Sequence, residues 1–592
     1  MIAVFPLKSF PNPLKKTDND TLLIEWFKPH VDQQLIFVKL RKSHIPKQGY
    51  FFVYEYGDID QIYKKRDFIS FSVNHPFLKD FFGNYNSINL EKNVIERNDL
   101  VSNILKEKGI FTVQGPPGTG KTYLAVETIV QLLKNNSNAT ILVSSKEHQA
   151  LNHLMDKTIE ALEKYHLSHN ILRSISTERL KSVNENSLVK RYSPQVKSGE
   201  IGSLVWSSQS KKWEDLQKSK LHEFDLRNRS FSESIATIIF ATTMDNIHKR
   251  FIGRQSFDLV IIEEAGKCYP SELVHIINLG QYVLLIGDQK QLPPYQIKET
   301  IENIHKMEKI FLKAIQDSDL KKDLITRLGK TYEDLLEFYQ LHGTLKDEQY
   351  LWLKPFEHLF NILPENKKFI LQDQYRMEKK LSSIISNVFY DMSFNNKKGI
   401  YLPLDGVLES SFDEELVWID TPHITELPDA GEDPEGTGER INNYELRIII
   451  KFLNLLQIKE KIDLIILTPY NDQKDYFLES DALKDIVSII SKFSFDDTVK
   501  TVDEYQGQEA DLTIISLVRN NTLGITSSWG FLTEPERLNV MFSRSKSRQV
   551  IVGCSVHIER NESHEKMNFL TNFLKEYKEK GIFVNSEEFL NN

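Results

Sequence analysis

The stretch FTVQGPPGTGKT, residues 111–122, is the most informative part of the chain. It contains the pattern G-x-x-x-x-G-K-[ST], in which Gly115 and Gly120 precede Lys121 and Thr122. Glycines in such a loop let backbone N–H groups turn toward phosphate oxygens, and the helix that follows adds the positive end of its dipole. Apolar residues before the loop and a helix-periodic pattern after it predict a strand, a phosphate-binding loop and a helix. A plain Gly/Pro turn between strand and helix is the alternative.

Each residue of this loop has an expected part in binding a nucleoside triphosphate. The cradle is expected to consist of Gly115, Pro116, Pro117, Gly118, Thr119, Gly120, Lys121 and Thr122. Lys121 can reach the β- and γ-phosphates, and the hydroxyl of Thr122 can bind Mg²⁺. ATP and Mg²⁺ are therefore the expected cofactors.

Hydrolysis needs one carboxylate for the metal and another to activate water, and a single stretch offers both. FDLVIIEEAG, residues 257–266, is an apolar run that ends in Glu263 and Glu264. In a parallel sheet, ligands bind beyond the carboxyl ends of the strands, where this pair would lie. We expect Glu263 to bind Mg²⁺ and Glu264 to act as the general base. A solvated pair of acids at the end of a strand is the alternative.

Three more residues are candidates for stabilising phosphoryl transfer. Gln291 follows the apolar run YVLLIG within GDQKQLPP, where its amide can position water or sense the γ-phosphate. Arg376 and Arg544 lie in a later set of α/β segments. A guanidinium brought in from a second domain can stabilise the negative charge that develops in the transition state. Either arginine alone could equally form a surface salt bridge.

Composition limits the class of protein. The chain has 592 residues, a formal net charge of −9 at pH 7 and two cysteines, Cys268 and Cys554. The acidic balance excludes a globally basic nucleic-acid binder but not a local basic channel. Two widely separated cysteines form neither a disulfide framework nor a zinc site, so a reducing, cytoplasmic location is expected. No apolar stretch predicts a membrane span, and the amino-terminal segment lacks the pattern of a secretory signal.

The order of segments predicts an α/β fold with parallel sheets in two tandem domains. Residues 1–90 alternate short aromatic runs with turn residues and are expected to form a small β-rich accessory domain. The first, ATP-binding domain is expected at 94–367, with charged insertions at about 153–234 and 295–353. The second is expected at 368–592, beginning near the stretch FILQDQYRM.

These segments together resemble the superfamily 1 helicases, in the branch that contains the nonsense-mediated-decay RNA helicase, senataxin and bacterial relatives. The motifs that carry the resemblance are GPPGTGKT (115–122), LVSSKEHQAL (142–151), FATT (240–243), EEAG (263–266), GDQKQLPP (287–294), QYRM (374–377), TPYNDQ (468–473), VDEYQGQEAD (502–511) and RLNVMFSRSK (537–546). The resemblance implies two RecA-like motor domains that hydrolyse ATP in the cleft between them. Arg376 and Arg544 would then reach the γ-phosphate across that cleft.

By this resemblance further residues acquire expected roles. Tyr375 would stack near the nucleotide base, and Gln506, Gly507 and Glu509 would couple the nucleotide state to the nucleic-acid groove. The residues expected to face the strand backbone are Ser145, Thr242, Thr243, Tyr470 and Thr501. The expected partner is a single strand of RNA or DNA, with 5′→3′ polarity implied by the family. Phosphate contacts from hydroxyls and backbone amides would give little sequence preference.

Among the positions that depart from the family pattern, two, together with the two sizeable insertions, support a second hypothesis. Glu263 stands where most members have aspartate, and Asn98 falls where the family has a glutamine that reads adenine. The alternative function is therefore a nucleotide-gated nucleic-acid-binding or scaffold protein with weak ATPase activity.

Overall fold

A computed structural model of the chain describes five short strands within residues 3–53 and most of residues 97–591. The gaps after residue 97 are 176, 181–186, 194–235, 246, 249–256, 323–336, 338, 342, 346–349, 398–413, 433–437, 459, 506, 524–528 and 561–563. The chain divides into two units, Met1–His75 and Pro76–Asn592.

In the first unit the structure describes the strands β1 (Ala3–Pro6), β2 (Leu14–Lys16), β3 (Thr21–Ile24), β4 (Val38–Arg41) and β5 (Tyr50–Val53). β1 pairs antiparallel with β5, and β2, β3 and β4 form an antiparallel sheet of their own. Residues 54–96 lie outside the described part of the chain, so the bounds of the β-rich domain remain a prediction.

The phosphate-loop stretch belongs to a seven-stranded sheet. Its strands are β6 (Gly109–Gln114), β7 (Ile141–Ser145), β8 (Ile171–Arg173), β9 (Ile238–Thr242), β10 (Phe257–Glu263), β11 (Gly280–Gly287) and β12 (Lys368–Ile370). They pair in parallel in the order β12-β6-β11-β10-β7-β9-β8. Along β10, Leu259 and Ile261 enter one core, and Val260 and Ile262 enter the core on the other face. Burial on both faces explains why the strand is a continuous apolar run.

A second sheet lies in the carboxyl-terminal part of the same unit. The part of the unit up to β12, which contains the seven-stranded sheet, is its first half, and the part after β12 is its second half. Two short strands, β13 (Asp373–Gln374) and β14 (Asn395–Asn396), form a separate parallel pair before this second sheet. The sheet consists of β15 (Leu416–Asp420), β16 (Leu464–Thr468), β17 (Val499–Thr501), β18 (Ala510–Ser516), β19 (Ser545–Gly553) and β20 (Ile582–Asn585). These strands pair in parallel in the order β17-β16-β18-β19-β15-β20. The predicted α/β fold with parallel sheets is thus confirmed.

Helices cover the faces of both sheets. Those in the first half are α1 (Leu100–Ile104), α2 (Lys121–Asn135), α3 (His148–Lys164), α4 (Thr177–Leu180), α5 (Leu188–Arg191), α6 (Pro270–Ile277), α7 (Ile297–Gln316) and α8 (Pro355–Ile362). Those in the second half are α9 (Lys379–Ile385), α10 (Asn443–Asn454), α11 (Asn471–Leu478), α12 (Asp481–Ile490), α13 (Phe495–Thr498), α14 (Pro535–Phe542), α15 (Ser555–Glu559), α16 (Asn568–Lys580) and α17 (Ser586–Asn591). A π-helical turn, Ser386–Tyr390, continues α9. Short 3₁₀ turns occur at Arg97–Asp99, Ala265–Lys267, Leu351–Leu353, Glu365–Lys367, Pro428–Ala430, Gly530–Thr533 and Glu565–Met567.

Two segments occupy positions that differ from the sequence expectation. The insertion expected from residue 153 overlaps α3 and β8, and β8 pairs with β9 at the edge of the first sheet. Charged surface residues on α3 obscure an amphipathic pattern in which Leu151, Met155 and Leu162 are buried. Similarly, β12 was expected to open the second domain but pairs with β6 in the first sheet. The domain bounds themselves remain predictions.

The two cysteines and the helices bear on where the chain could reside. Cys268 and Cys554 are both buried and free. Among the helices that the structure describes, none has the length and apolar character needed to cross a bilayer. The cytoplasmic location remains a prediction.

Candidate active site

The phosphate loop joins β6 to α2 and owes its shape to its glycines. The N–H of Gly115 donates to the carbonyl oxygen of Gly287 at the end of β11 (2.9 Å), and Lys121 Nζ donates back to the carbonyl oxygen of Gly115 (2.7 Å). A Cβ on Gly115 would lie 2.2 Å from Cγ of Lys121. Gly118 and Gly120 have φ angles of +72° and +81°, a region that favours glycine. The loop therefore has the residues and the left-handed turns that anion-binding loops require.

α2 begins directly after the left-handed Gly120 and is anchored by its apolar face. Leu124, Ile129 and Leu133 are buried in the core on one face of the first sheet. The first N–H groups of a helix have no partner within it, so this end of α2 carries partial positive charge. Packing of α2 thus directs that charge toward the phosphate loop.

Glu263, the last residue of β10, meets the phosphate loop in a buried position. Its Oε1 accepts a hydrogen bond from Oγ1 of Thr122 (2.9 Å). Its Oε2 is buried and has no hydrogen-bond partner within the part of the chain that the structure describes. Burial, followed by the neighbouring charge of Glu264, raises the pKa of Glu263 to about 7. An orphaned carboxylate oxygen beside a hydroxyl fits a hard cation such as Mg²⁺, which takes its remaining ligands from phosphates and water.

Glu264 has the opposite electrostatic environment from its neighbour. Burial raises the pKa of Glu264, but the positive charges of Lys267 and Lys121, followed by Arg544 and Arg376, outweigh it and lower the pKa overall. Its backbone has φ of +55°, which is rare outside glycine and typical of functional positions held by their surroundings. An ionised, half-buried carboxylate in this position is suited to accept a proton.

Two arginines and an amide face the carboxylates. Nε of Arg376 donates to Oε2 of Glu509 (2.6 Å) and its Nη1 donates to the carbonyl oxygen of Ser543 (3.2 Å), so residues near the second sheet hold this guanidinium in place. Arg544 is buried, and its Nη2 donates to Oε1 of Gln291 (3.5 Å). Burial and the charge of Arg376 lower the pKa of Arg544 to about 9. Gln291 in turn donates to Oδ2 of Asp288 (2.7 Å), so the amide is held at both ends.

Both halves of this unit line one cleft of about 1670 Å³. The site residues that the sequence predicted and that line this cleft are Pro117, Gly118, Thr119, Gly120, Lys121, Thr122, Glu263, Glu264, Gln291, Tyr375, Arg376, Gly507, Glu509 and Arg544. Gly115 and Pro116 are buried at the base of the loop, and Gln506 lies outside the described residues. The N–H of Tyr375 donates to the carbonyl oxygen of Gly118 (2.8 Å), so the QYRM segment rests directly on the phosphate loop. The ring of Tyr375 is 55% exposed, which leaves it accessible to a stacking partner.

The cleft also contains residues that the motifs did not identify. Arg97, Tyr123 and Phe360 line it, whereas Asn98 is exposed in the 3₁₀ turn and is not among the lining residues. Nη2 of Arg97 donates to Oε2 of Glu127 on α2 (3.2 Å). Tyr123 directly follows the phosphate-loop motif, whereas Arg97 and Phe360 belong to none of the motifs and are brought to the cleft by the fold.

The residues predicted to contact a nucleic-acid strand lie at or just beyond the carboxyl ends of strands in both sheets: Ser145, Thr242, Thr243, Tyr470 and Thr501. Ser145 and Thr242 are register partners at the ends of β7 and β9. Thr501 pairs with Thr468 at the ends of β17 and β16. Tyr470 is buried, and its hydroxyl donates to the carbonyl oxygen of Trp529 (3.0 Å). The set is therefore divided between two sheets, and its contact with nucleic acid remains a prediction.

Comparison with known proteins reveals two family models and several helicase relatives. One model, described as an AAA domain, matches residues 353–556, and another of the same description matches residues 93–234 and 205–299. The DNA polymerase alpha-associated DNA helicase A of Saccharomyces cerevisiae is 27% identical over 530 residues, which is 82% of this chain and 68% of that protein. An uncharacterized ATP-dependent helicase of Methanocaldococcus jannaschii is 24% identical and covers 81% of this chain and 70% of its own length.

Other relatives are longer or more distant. The regulator of nonsense transcripts 1 homolog of Drosophila melanogaster is 25% identical over 80% of this chain, which spans 35% of that protein. Among solved structures, an arterivirus helicase, nonstructural protein 10, has a TM-score of 0.33 and 11% identity, covering 80% of this chain and 64% of that one.

The two parallel sheets and the phosphate loop define a phosphate-loop protein with tandem α/β domains. Both AAA-domain models and the helicase relatives then assign the family. The chain belongs to the superfamily 1 helicases, a family of nucleic-acid-dependent ATPases, in the branch of the nonsense-mediated-decay RNA helicase.

Proposed function

We propose that this chain is an ATP-dependent helicase or translocase that moves 5′→3′ on RNA or DNA with a single-stranded tail. The supporting observation is one cleft lined by Lys121 and Glu264 on one side and by Arg376 and Arg544 on the other. Hydrolysis at such a site depends on how closely the two sides approach each other. That dependence is what a motor requires, because nucleotide state then controls domain closure.

ATP binding would begin with a rearrangement at the phosphate loop. Lys121 leaves the carbonyl oxygen of Gly115 and turns its ammonium group toward the β- and γ-phosphates. Thr122 and Glu263 are the residues that would hold Mg²⁺, which supplies charge neutralisation at the phosphates. Since burial raises the pKa of Glu263, this carboxyl must release its proton when a cation binds.

Hydrolysis would then use groups from both sides of the cleft. Glu264, which stays ionised, accepts a proton from the attacking water. Gln291 orients that water through its amide, while Arg376 and Arg544 neutralise charge as the γ-phosphate leaves. Arg376 is paired with Glu509 in the present arrangement, so it exchanges this partner for phosphate oxygens when the cleft closes.

Movement would follow from the separate attachment of the strand to each sheet. The hydroxyl residues at β7 and β9 belong to one sheet, and those at β16 and β17 belong to the other. If each set binds backbone phosphates, closing the cleft shortens the distance between them, and opening it restores that distance. One cycle of ATP hydrolysis thereby shifts one domain along the strand.

Unwinding measured on four substrates tests this proposal. The substrates are 5′-tailed and 3′-tailed duplexes of RNA and of DNA. Both nucleic acids are tested because one relative is named as a DNA helicase and another as a regulator of nonsense transcripts. We expect ATP-dependent strand separation of the 5′-tailed duplex of RNA, of DNA or of both. Lys121→Ala is the control for contaminating activity. Separation from 3′ tails alone would contradict the polarity, and none from any substrate would contradict the helicase.

The alternative is a nucleotide-gated nucleic-acid-binding or scaffold protein with weak ATPase activity. The observation that favours it is Glu263, which is one methylene longer than the usual aspartate and whose pKa is raised to about 7 by burial and by Glu264. A carboxyl that holds its proton near neutral pH binds a cation less readily.

Glu263→Asp discriminates between the two functions. If the native site is tuned around glutamate, the shorter side chain withdraws its oxygen from Thr122, and we expect kcat for ATP hydrolysis to fall by about tenfold or more. Steady-state ATPase over a Mg²⁺ titration measures the effect. A sharp rise in kcat would instead identify an attenuated enzyme and favour the alternative.

A further inference from the structure

The segment that follows β11 is continuous with a strand of the first half of the unit, but its residues contact the second half. Asp288 begins it directly after Gly287, the last residue of a central strand in the first sheet. Leu292 packs against the core on one face of the second sheet. The carbonyl oxygen of Lys290 accepts a hydrogen bond from Nδ2 of Asn539 on α14 (2.8 Å). This short segment is therefore attached to both halves of the cleft.

The carboxylate of Asp288 is the meeting point of these contacts. Oδ1 accepts hydrogen bonds from Nε2 of Gln114 (3.3 Å) and from the N–H of Lys290 (3.1 Å). Oδ2 accepts from Nε2 of Gln291 (2.7 Å) and from the hydroxyl of Tyr390 (2.6 Å). Gln114 is the last residue of β6, directly before the phosphate loop. One buried carboxylate thus joins the base of the loop, the amide of Gln291 and a tyrosine from the second half.

Tyr390 completes the connection through a single hydroxyl group. While donating to Asp288, this hydroxyl accepts a hydrogen bond from Nδ2 of Asn539 (2.8 Å). The tyrosine lies in the π-helical turn Ser386–Tyr390, a local distortion that is frequent at functional sites. Asn539 lies five residues before Arg544, whose Nη2 reaches Oε1 of Gln291 (3.5 Å). Asp288, Tyr390 and Asn539 therefore form a continuous buried path beside the Gln291–Arg544 contact.

We propose that Tyr390 is a positioning residue that ties Asp288 to Asn539 and so holds Gln291 and Arg544 in register across the cleft. The inference rests on the proposed ATPase function, which it deepens by naming a residue outside the recognised motifs. A hydrogen bond between a buried hydroxyl and a carboxyl group stabilises the arrangement that contains it, and loss of it leaves a buried acceptor under-satisfied. Such a link can select one arrangement of the two halves over others without contacting the nucleotide.

Tyr390→Phe tests this role because it removes the hydroxyl and keeps the ring. We expect kcat for strand-stimulated ATP hydrolysis to fall by about tenfold or more, while the KM for ATP stays within about twofold. Tyr577→Phe is the matched control: its hydroxyl is buried in the same core and donates to the carbonyl oxygens of Gln549 (3.1 Å) and Val417 (3.3 Å), away from the cleft. Thermal melting of both variants separates kinetic loss from loss of folding.

A second variant approaches the same link from its other end. Asn539→Leu removes the donor to Tyr390, and we expect the Tyr390→Phe and Asn539→Leu effects on kcat to be non-additive. Equal kcat in Tyr390→Phe and Tyr577→Phe, or additive effects in the double variant, would overturn the positioning role of Tyr390 and leave the proposed function intact. Absence of strand-stimulated hydrolysis in the wild-type chain would overturn both the proposed function and the positioning role of Tyr390.

Discussion

Two neighbouring glutamates show how surroundings assign different chemical roles to the same side chain. Glu263 is buried beside Thr122, and its pKa rises to about 7. Glu264 is half-buried, and cations from both halves of the unit hold its pKa below the usual range. One carboxyl is thereby prepared to exchange a proton for a metal ion, and the other to remain ionised as a base. The sequence predicted the pair, but not this difference, because apart from the nearby Lys267 the cations that lower the pKa of Glu264 come from distant parts of the chain.

Replacing Glu264 by glutamine removes the base while keeping the size of the side chain. We expect kcat for ATP hydrolysis to fall by about 10²–10⁴-fold and ATP affinity to change by less than about threefold. Steady-state ATPase and equilibrium binding of a fluorescent ATP analogue measure these two effects. Glu308→Gln is the control, because Glu308 is a buried glutamate away from the cleft that accepts its hydrogen bonds from Leu345 and Tyr350 in the region of α7. Unchanged turnover in Glu264→Gln would refute the assignment.

At the scale of elements, apolar runs predicted most central strands, whereas short or amphipathic elements were not recognised. β10 and β11 were recognisable because burial on both faces gives each strand a continuous apolar run, LVII in β10 and YVLLI in β11. β8 has three residues, and α3 has a charged outer face, so both read as part of an insertion. The stretch that contains β12 was expected to begin the second domain, but its pairing with β6 depends on tertiary contacts that periodicity does not encode.

A strained turn after β18 shows how a helix can hold a neighbouring strand in place. Val518 has φ of +68°, an unfavourable conformation for a β-branched residue. Its N–H donates to both carboxylate oxygens of Glu445 on α10 (3.1 Å each), and Asn442 donates to its carbonyl oxygen (3.1 Å). Oγ of Ser516 donates to the same carboxylate (2.5 Å). Burial nevertheless raises the pKa of Glu445 to about 8.

The raised pKa of Glu445 makes stability depend on pH. The folded chain keeps this proton up to about pH 8, whereas the carboxyl ionises near 4.5 once unfolded. The free energy of unfolding should therefore fall as pH rises between these values, by at most about 1.4 kcal/mol per pH unit for this group. Glu445→Gln mimics the protonated form and should remove that slope. Urea unfolding at about pH 6 and about pH 8 measures it, and identical slopes in both chains would contradict the assignment.

At the scale of the whole molecule, function depends on contacts between residues far apart in sequence. The order of motifs predicted two α/β sets and the residues on each side of the cleft. It did not predict that Tyr375 hydrogen-bonds to Gly118, or that Asp288 accepts a hydrogen bond from Tyr390. Such contacts depend on how two separately folded sheets meet, and neither composition nor spacing records that arrangement. The same dependence is why movement of the cleft can couple ATP to a strand.

The central claim is that ATP hydrolysis in the cleft is coupled to a nucleic-acid strand. The most direct test is the steady-state ATPase rate of the full chain with and without single-stranded RNA or DNA, with Lys121→Ala as the control for contaminating activity. If a bound strand favours the closed cleft, RNA or DNA raises the steady-state ATPase rate of the wild-type chain, and neither raises the rate of the variant. A wild-type rate that neither strand changes would contradict the account.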